Sequence, residues 1–532
     1  YGMYGQDLIW SNDVYVDAML SYNKEIKDFS VSASAGWVGH TVKGETQKLW
    51  TRATYFSYTD MNQLPTRINF FEPLASWGGS NMNEYSLSSN WDKGLFFTGQ
   101  VGYKDYVYLE GSYRQDWYRA FKQFEYRGTP DNYGYFSVGA NTLMHRYISL
   151  PEFITHLKLR ASYSEVGNSI PNEVFNKGKA DLATGAIASS TYGYFDNPIP
   201  ETSKSFEAGF DVSFFDSSLN WDLTYYHTGL YNNYFLQATT GGKSKPVNTG
   251  LIRNQGIETT VSYSLGFAKD WMWRTSVNFS YNDNKIVKTF KDEQGKSSKL
   301  EQKIAGGNIV VRYDEGGSYG DMYALNFRRN DDGSIYLSSN GAPQLSNNSY
   351  VYLGNMNSKF QLGWGNTISW KDLSLYFLVS GRIGGKVISL TEAYLDYQGV
   401  SKRVGDARLA AEANPDLQWN GKPAMVMPDG NLAPIEEYYK AVGGNMFGSQ
   451  YVYDATNFRL AELSLGYSFH NLFGGVISNL SLSVVGRNLF FIYKDAPVDP
   501  DIALSTKNGL GAFDIFNMPA TRSVGVNLKI DF

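Results

Sequence analysis

Apolar and polar residues alternate one for one along most of this chain, a period of two that only β-strands with one greasy and one wet face can use. At the C-terminal end Val524, Val526, Leu528, Ile530 and Phe532 fall on one side, and Ser523, Gly525, Asn527, Lys529 and Asp531 on the other. Phe206, Ala208, Phe210, Val212 and Phe214 alternate in the same way with Glu207, Gly209, Asp211 and Ser213. About fifteen such segments, each roughly 9 to 17 residues long, lie near positions 13, 27, 95, 106, 133, 155, 203, 219, 252, 271, 359, 373, 458, 480 and 521.

The wet faces carry Lys158, Arg160, Glu258, Arg274 and Lys529, charges that a closed sandwich core does not hold unpaired. A water-filled lumen holds them easily. About 9 to 11 tilted residues cross a bilayer, so the segments are long enough to do so. Helices are excluded from that task, because no run of 18 apolar residues occurs and the mean hydropathy is −0.36. The spacing therefore predicts an all-β fold, a transmembrane antiparallel β-barrel.

The connections support this. Lys104 to Asp105, Asp216 to Ser218, Gly266 to Asp270 and Lys371 to Asp372 are short, whereas the stretches 167–202, 288–358, 386–457 and 493–520 are long. Short turns at one end and long extracellular loops at the other are the outer-membrane arrangement, and no sequence period of about 40 to 50 residues suggests a propeller. The 532 residues include 40 Tyr, 32 Phe and 12 Trp. Trp221, Tyr225 and Tyr226, Trp271 and Trp273, and Trp370 cluster near strand ends, where an amphipathic ring rests at headgroup level. If Phe532 ends an inward-running strand, parity places Tyr1 to Asn12 in an extracellular loop. An odd number of strands does not close the usual even barrel, and Tyr1 to Trp10 hold no secretory signal, so the chain is expected to be the C-terminal part of a longer barrel protein.

Lys plus Arg number 47 against 52 Asp plus Glu, which leaves no positive surplus for a phosphate backbone and argues against nucleic-acid binding. There is no cysteine, and the five histidines, His40, His145, His156, His227 and His470, lack metal-ligand spacing. No catalytic constellation, metal or cofactor is expected. Glu315 to Tyr323 is glycine-rich but has no Walker lysine, and Asp499 and Asp501 around Pro500 suit a turn better than a cation loop. The candidates for substrate binding are Trp77, Trp117, Tyr118, Phe121, Tyr126, Tyr394 and Trp419, with Tyr397 and Tyr438 beside them, because rings next to amides and carboxylates suit sugars or peptide backbones. Ala407 to Ala413 and Ile435 to Val442 read as helical within the longest loops.

Several motifs, in order, carry a family likeness. VYLEGSYRQDW (Val107 to Trp117), YFSVGA (Tyr135 to Ala140), LKLRASYSEVGN (Leu157 to Asn168), ETSKSFEAGFDVSFF (Glu201 to Phe215), NTGLIRNQGIE (Asn248 to Glu258), FRLAELSLGY (Phe458 to Tyr467), GRNLF (Gly486 to Phe490), DPD (Asp499 to Asp501) and MPATRSVGVNLKIDF (Met518 to Phe532) resemble the SusC/RagA branch of TonB-dependent outer-membrane transporters. Ser164 and Val166 replace the usual Gly and Thr, and NPIPE (Asn197 to Glu201) replaces the usual N-L-x-W-E.

The resemblance implies a barrel of 22 strands in the whole protein, with about fifteen in this chain, set in the Gram-negative outer membrane. The plug domain, the TonB-contacting segment and the first strands would then lie outside this sequence. It further implies a SusD-like lipoprotein lid, oligosaccharide or peptide substrates moved at the expense of energy delivered through TonB, and frequently a dimer of barrel and lid pairs. Phe532 resembles the terminal aromatic that the outer-membrane assembly machinery reads. A passive porin and a structural scaffold in an envelope assembly or secretion complex are the rival readings.

Overall fold

The alternating segments become fifteen paired strands in a computed structural model, which describes residues 5–50, 83–122, 130–169, 198–238, 244–248, 250–289, 291, 301–501, 511–518 and 520–531. Two compact units are distinguished, Tyr1–Val138 with Glu165–Glu201, and Gly139–Ser164 with Thr202–Phe532.

In the first unit β1 (Gly5–Ile26), β2 (Phe29–Trp50), β3 (Asn83–Tyr103) and β4 (Val107–Tyr118) pair antiparallel in sequence order. Register sorts their side chains. Leu20, Ala35, Phe97 and Tyr113 stand opposite one another, and the next row is Ser21, Ser34, Thr98 and Ser112. Each row is chemically uniform, so a slip of one residue would turn every apolar group to the wet side. Residues 5–12, expected in a loop, are strand, because β1 and β2 stay paired from Ile26 opposite Phe29 out to Gly5 opposite Trp50. At 22 residues each they are about twice as long as a crossing requires.

β5 (Asn132–Leu143) and β6 (Ile154–Asn168) each contain residues of both units. The second unit continues with β7 (Glu201–Phe214), β8 (Leu219–Tyr231), β9 (Leu251–Ala268), β10 (Trp271–Lys288), β11 (Phe360–Trp370), β12 (Leu373–Ile383), β13 (Asn457–Leu472), β14 (Ile477–Lys494) and β15 (Ser523–Asp531), again each beside its sequence neighbours. An apolar row runs from Leu265 through Trp273, Ile368, Leu375, Leu465 and Val484 to Val526. The opposite face carries Thr260, Asn278, Gly363, Ser380 and Arg459.

The apolar row is the uncovered one, with Leu465 52% and Val526 65% exposed. A soluble sheet hides such a face, whereas a barrel turns it to lipid. The tryptophans of this face are equipped for lipid, where an unpaired donor is costly. The indole N–H of Trp221 donates to the Thr259 hydroxyl at 2.8 Å, that of Trp273 to Asn366 Oδ1 at 3.1 Å, and that of Trp364 to the Thr275 hydroxyl at 3.1 Å. Beside the tight turn at Lys371, whose φ is +53°, Trp271 and Trp370 stack with ring centroids 5.8 Å apart, as a headgroup-level girdle requires.

The tightly packed apolar core of the second unit lies in its long connections. Ile309, Val311, Met322, Ile388, Val442, Phe447, Tyr451 and Phe513 are essentially inaccessible and form one cluster, with Ile252 and Ile286 at the loop-side ends of β9 and β10. Short strands at Glu301–Ile304, Ile309–Arg312, Asp321–Phe327 and Leu345–Asn355 form a sheet, and Lys386–Ser389 pairs with Val452–Asp454 and Phe513–Asp514. Three helices complete this loop cap: α1 (Leu390–Tyr397), α2 (Lys402–Ala413) and α3 (Ile435–Gly444). Ser389 caps α1, its Oγ accepting the Glu392 N–H at 3.2 Å while donating to buried Asp514 at 2.7 Å. α3 crosses α1 at Gly443, where a Cβ would come within 2.3 Å of the Ala393 carbonyl oxygen, so only glycine permits the approach.

Candidate functional site

The polar face of β9 to β13 holds a groove of about 460 Å³, lined among others by Glu258, Asn278, Gln361, Ser380, Arg382 and Asp501. Period two puts these side chains on one face, and the loop from residue 495 brings Asp501 to them. The DPD motif is a turn, as expected. Asp499 Oδ1 accepts the Asp501 N–H at 3.0 Å, so its carboxylate shapes the loop. The Asp501 carboxylate then accepts from Arg382 at 3.1 Å and from Arg459, with the Asn457 amide at 3.4 Å. Dense donors and acceptors on a wet wall suit neutral polar oligomers, whose hydroxyls or amides exchange water for protein partners at little net cost. Asp501→Ala strands Arg459, which is mostly buried, and is expected to cost about 1–3 kcal/mol. Amide exchange should accelerate across residues 457–460 and 495–501. Unchanged exchange would mean that neither arginine relies on this carboxylate.

At the base of the loop cap Lys386 stands opposite Asp454 in register, with Nζ 3.1 Å from the carboxylate. Burial pushes the Asp454 carboxyl up, but the Thr456 hydroxyl and N–H, together with Lys386, outweigh it and hold the group below the usual aspartate range. Because the folded value is depressed, the contribution is present above the unfolded value and is lost as pH falls through the folded one. Normalised amide exchange in residues 384–389 and 452–456 should therefore rise as pH drops below the ordinary aspartate value of 3.8. Lys386→Met should flatten that dependence.

The aromatic candidates separate. Tyr118 lies on the polar face, its hydroxyl donating to Asp116 at 3.2 Å, and Tyr135 at 2.5 Å and Arg114 at 2.8 Å donate to the same carboxylate. Trp117 stands opposite Lys93 on the other face, in line with Tyr113 and Leu95, because it is one residue removed from Tyr118. Phe121, expected at a binding surface, is fully buried on the one-turn helix Arg119–Lys122, 6.0 Å from the Tyr118 ring. Tyr438 is likewise buried, on the inner face of α3. Tyr394 and Tyr397 are both 45% exposed on α1, with rings 6.4 Å apart, and Tyr394 meets Phe516 edge-on at 5.2 Å. Phe516 went unrecognised in the sequence because it reaches α1 from 119 residues beyond Tyr397 in the chain. Trp419 sits half-buried in the separate hairpin of Gln418–Trp419 and Lys422–Val426, near Gly341. Trp77, Tyr126 and Phe532 lie outside the described residues.

Among the described residues no three His, Cys, Asp or Glu side chains converge as a metal site. Spacing did mislead in one respect, since His145 and His156, distant in sequence, have ring centroids only 4.4 Å apart.

A family model described as "TonB dependent receptor-like, beta-barrel" matches residues 3–489. TonB-dependent receptor P39 of Formosa agariphila is 24% identical over 584 residues, covering 98% of this chain and 53% of that protein. TonB-dependent receptor SusC of Bacteroides thetaiotaomicron is 21% identical over 387 residues, covering 68% and 36%. Among solved structures the RagAB peptide transporter superposes with a TM-score of 0.72 at 16% identity, covering 99% of this chain and 56% of that one. The chain spans about half the length of such relatives. The likeness shows the fold, an antiparallel outer-membrane β-barrel with long loops, and the relatives are named as receptors and transporters.

Proposed function

Because the chain belongs to the TonB-dependent receptor-like β-barrel family, we propose that it is of the SusC/RagA type, like the relatives it resembles, and forms wall and loops of an energised outer-membrane importer of oligosaccharides or peptides. The observation that carries this reading is the two-faced sheet. Its bare apolar rows suit lipid, and its polar face bears the groove closed by Asp501. Capture is then many weak hydrogen bonds and ring contacts, and no bond is made or broken. A SusD-like lipoprotein serves as lid over the loops, in keeping with the two-part name of the RagAB transporter. In this reading the plug and the TonB-contacting segment lie outside residues 1–532, consistent with a match to about half of each relative, and barrel and lid pairs associate as dimers. Among the ring candidates, exposed Tyr394 and half-buried Trp419 are available as loop contacts, and Tyr118 as a contact from the polar face.

The test is uptake of fluorescent oligosaccharide and peptide mixtures by cells that make the whole protein, with and without TonB and with a protonophore. Accumulation against a gradient that needs both TonB and the proton gradient is the expected result. Uptake that equilibrates without TonB would make the barrel a porin. No uptake by an assembled barrel would favour a scaffold.

A further inference from the structure

On the apolar face of the first unit lies a groove of about 680 Å³, lined among others by Tyr22, Ala33, Phe97, Gly99, Gly111 and Phe136. Register explains its shape. Tyr22, Ala33, Gly99 and Gly111 form one row across β1 to β4, so three neighbouring strands present almost no side chain there. Leu20 and Tyr22 on one side, and Phe136 and Val138 of β5 on the other, stand as walls. The two glycines have no conformational reason to be glycine. Neither has a positive φ, and the β2–β3 and β3–β4 registers run through them without a bulge. An added Cβ would meet nothing closer than 3.9 Å at Gly99 or 3.6 Å at Gly111. Glycine weakens a strand interior, and where neither a bulge nor crowding requires it, the remaining use is close approach of something from outside the sheet.

The surroundings decide what approaches. The groove opens on the face that a barrel turns to lipid, so an acyl chain fills it. One row nearer the short turns, Lys24 stands in line with Val31, Val101 and Leu109, and the next row, Ile26, Phe29, Tyr103 and Val107, borders the turns themselves. Lys24 is the single charge in these rows. It is exposed, and among the described residues it has no ion-pair partner. A lysine on a lipid face is costly unless its ammonium reaches the headgroups. This end of the strands is at headgroup level, because the Phe29 and Tyr103 rings meet there at 5.0 Å as a girdle pair. Beyond them Lys104 is already engaged by Asp28 at 3.6 Å, which leaves Lys24 as the cation beside the groove. No carboxylate shares the rows to receive the ammonium of a zwitterionic headgroup, so an anionic one is favoured. Short turns mark the periplasmic end. From Lys24 to Leu20 the strand advances about 13 Å, against about 15 Å for the hydrocarbon of one leaflet. We infer that the groove holds one acyl chain of an anionic glycerophospholipid of the periplasmic leaflet, with Lys24 on its phosphate. The site goes beyond the importer reading and stands on the barrel wall, whatever the barrel carries.

The test uses the whole protein, stripped of native lipid by repeated detergent exchange and titrated with dioleoyl phosphatidylglycerol or dioleoyl phosphatidylcholine under native mass spectrometry. One phosphatidylglycerol should be retained saturably per barrel, about fivefold more tightly than phosphatidylcholine, which is the worth of one lysine beside an anionic headgroup. Gly99→Leu combined with Gly111→Leu fills the groove with side chains that a lipid face accepts, and should abolish retention with heat-modifiable mobility unchanged. Lys24→Gln should keep the chain bound and erase the preference, whereas Lys27→Gln, in the turn between β1 and β2, should leave the preference in place. Should the filled variant not assemble, Gly111→Leu alone and Lys24→Gln decide the question. No saturable lipid on the unaltered protein, retention in the filled variant, or equal loss of preference in Lys24→Gln and Lys27→Gln would each overturn the site. Lipid retention without uptake would remove the importer reading alone, and uptake without lipid retention would remove the groove alone.

Discussion

Leu465→Arg is expected to block insertion of the barrel, whereas Ser464→Arg, one residue away, is expected to assemble normally. Leu465 lies between Leu375 and Val484 in the exposed apolar row, and Ser464 lies between Tyr376 and Val485 on the opposite face. An arginine on the lipid face costs about 2–4 kcal/mol at the bilayer midplane and much less near the interfaces. On the wet face its guanidinium stays hydrated beside Glu462 and Arg487, which already pair at 3.1 Å. Heat-modifiable mobility of outer-membrane fractions reads the difference. Equal behaviour of the two variants would reverse the orientation drawn from register.

Phe447→Ala is expected to loosen the loop cap while leaving the strands assembled. Its ring is fully buried and meets Phe327 with centroids 5.0 Å apart in the cluster that ties the long connections together. Truncating such a ring costs about 3–5 kcal/mol, since the transfer term and the cavity left behind add. Leu409→Ala, at a residue 64% exposed on α2, should change stability by no more than about 0.5 kcal/mol. Limited proteolysis within residues 384–456 should accelerate in the first variant alone, with the barrel band unaltered in both. Resistance in Phe447→Ala equal to that of the unaltered chain would mean that the cap does not depend on this core.

The strands were legible and the cap was not, for one physical reason. A strand with lipid on one face and water on the other writes period two into its sequence, so the segments expected near positions 155, 252, 373 and 480 correspond to Ile154–Asn168, Leu251–Ala268, Leu373–Ile383 and Ile477–Lys494. A short strand buried on both faces writes no such code. Ile309, Val310 and Val311 are all inaccessible, and their strand was absorbed into an apparent loop. Helical signals at 407–413 and 435–442 marked parts of α2 and all but the end of α3, but α1 went unseen because its eight residues show too little pattern.

Site residues were harder to read, because a side chain's role depended on partners far away in sequence. Trp117 and Tyr118 looked alike as neighbouring rings, yet one residue of strand sends them to opposite faces. Asp396 gave no signal at all. Its buried carboxylate is held by Arg403 and Tyr451, which α2 and the end of the cap bring to it. The aspartates around Pro500 were readable as a turn, but the use of Asp501 as an anchor for Arg382 and Arg459 required β12 and β13 to stand side by side.

The most direct measurement is extraction of the native protein from whole membranes with and without mild detergent, followed by mass spectrometry of what remains bound after purification. The expected result is release into detergent alone, from the outer-membrane fraction, with a surface lipoprotein attached to the barrel. Release into detergent-free buffer, with the apolar rows then necessarily covered by protein, would contradict the membrane assignment and the importer reading built on it.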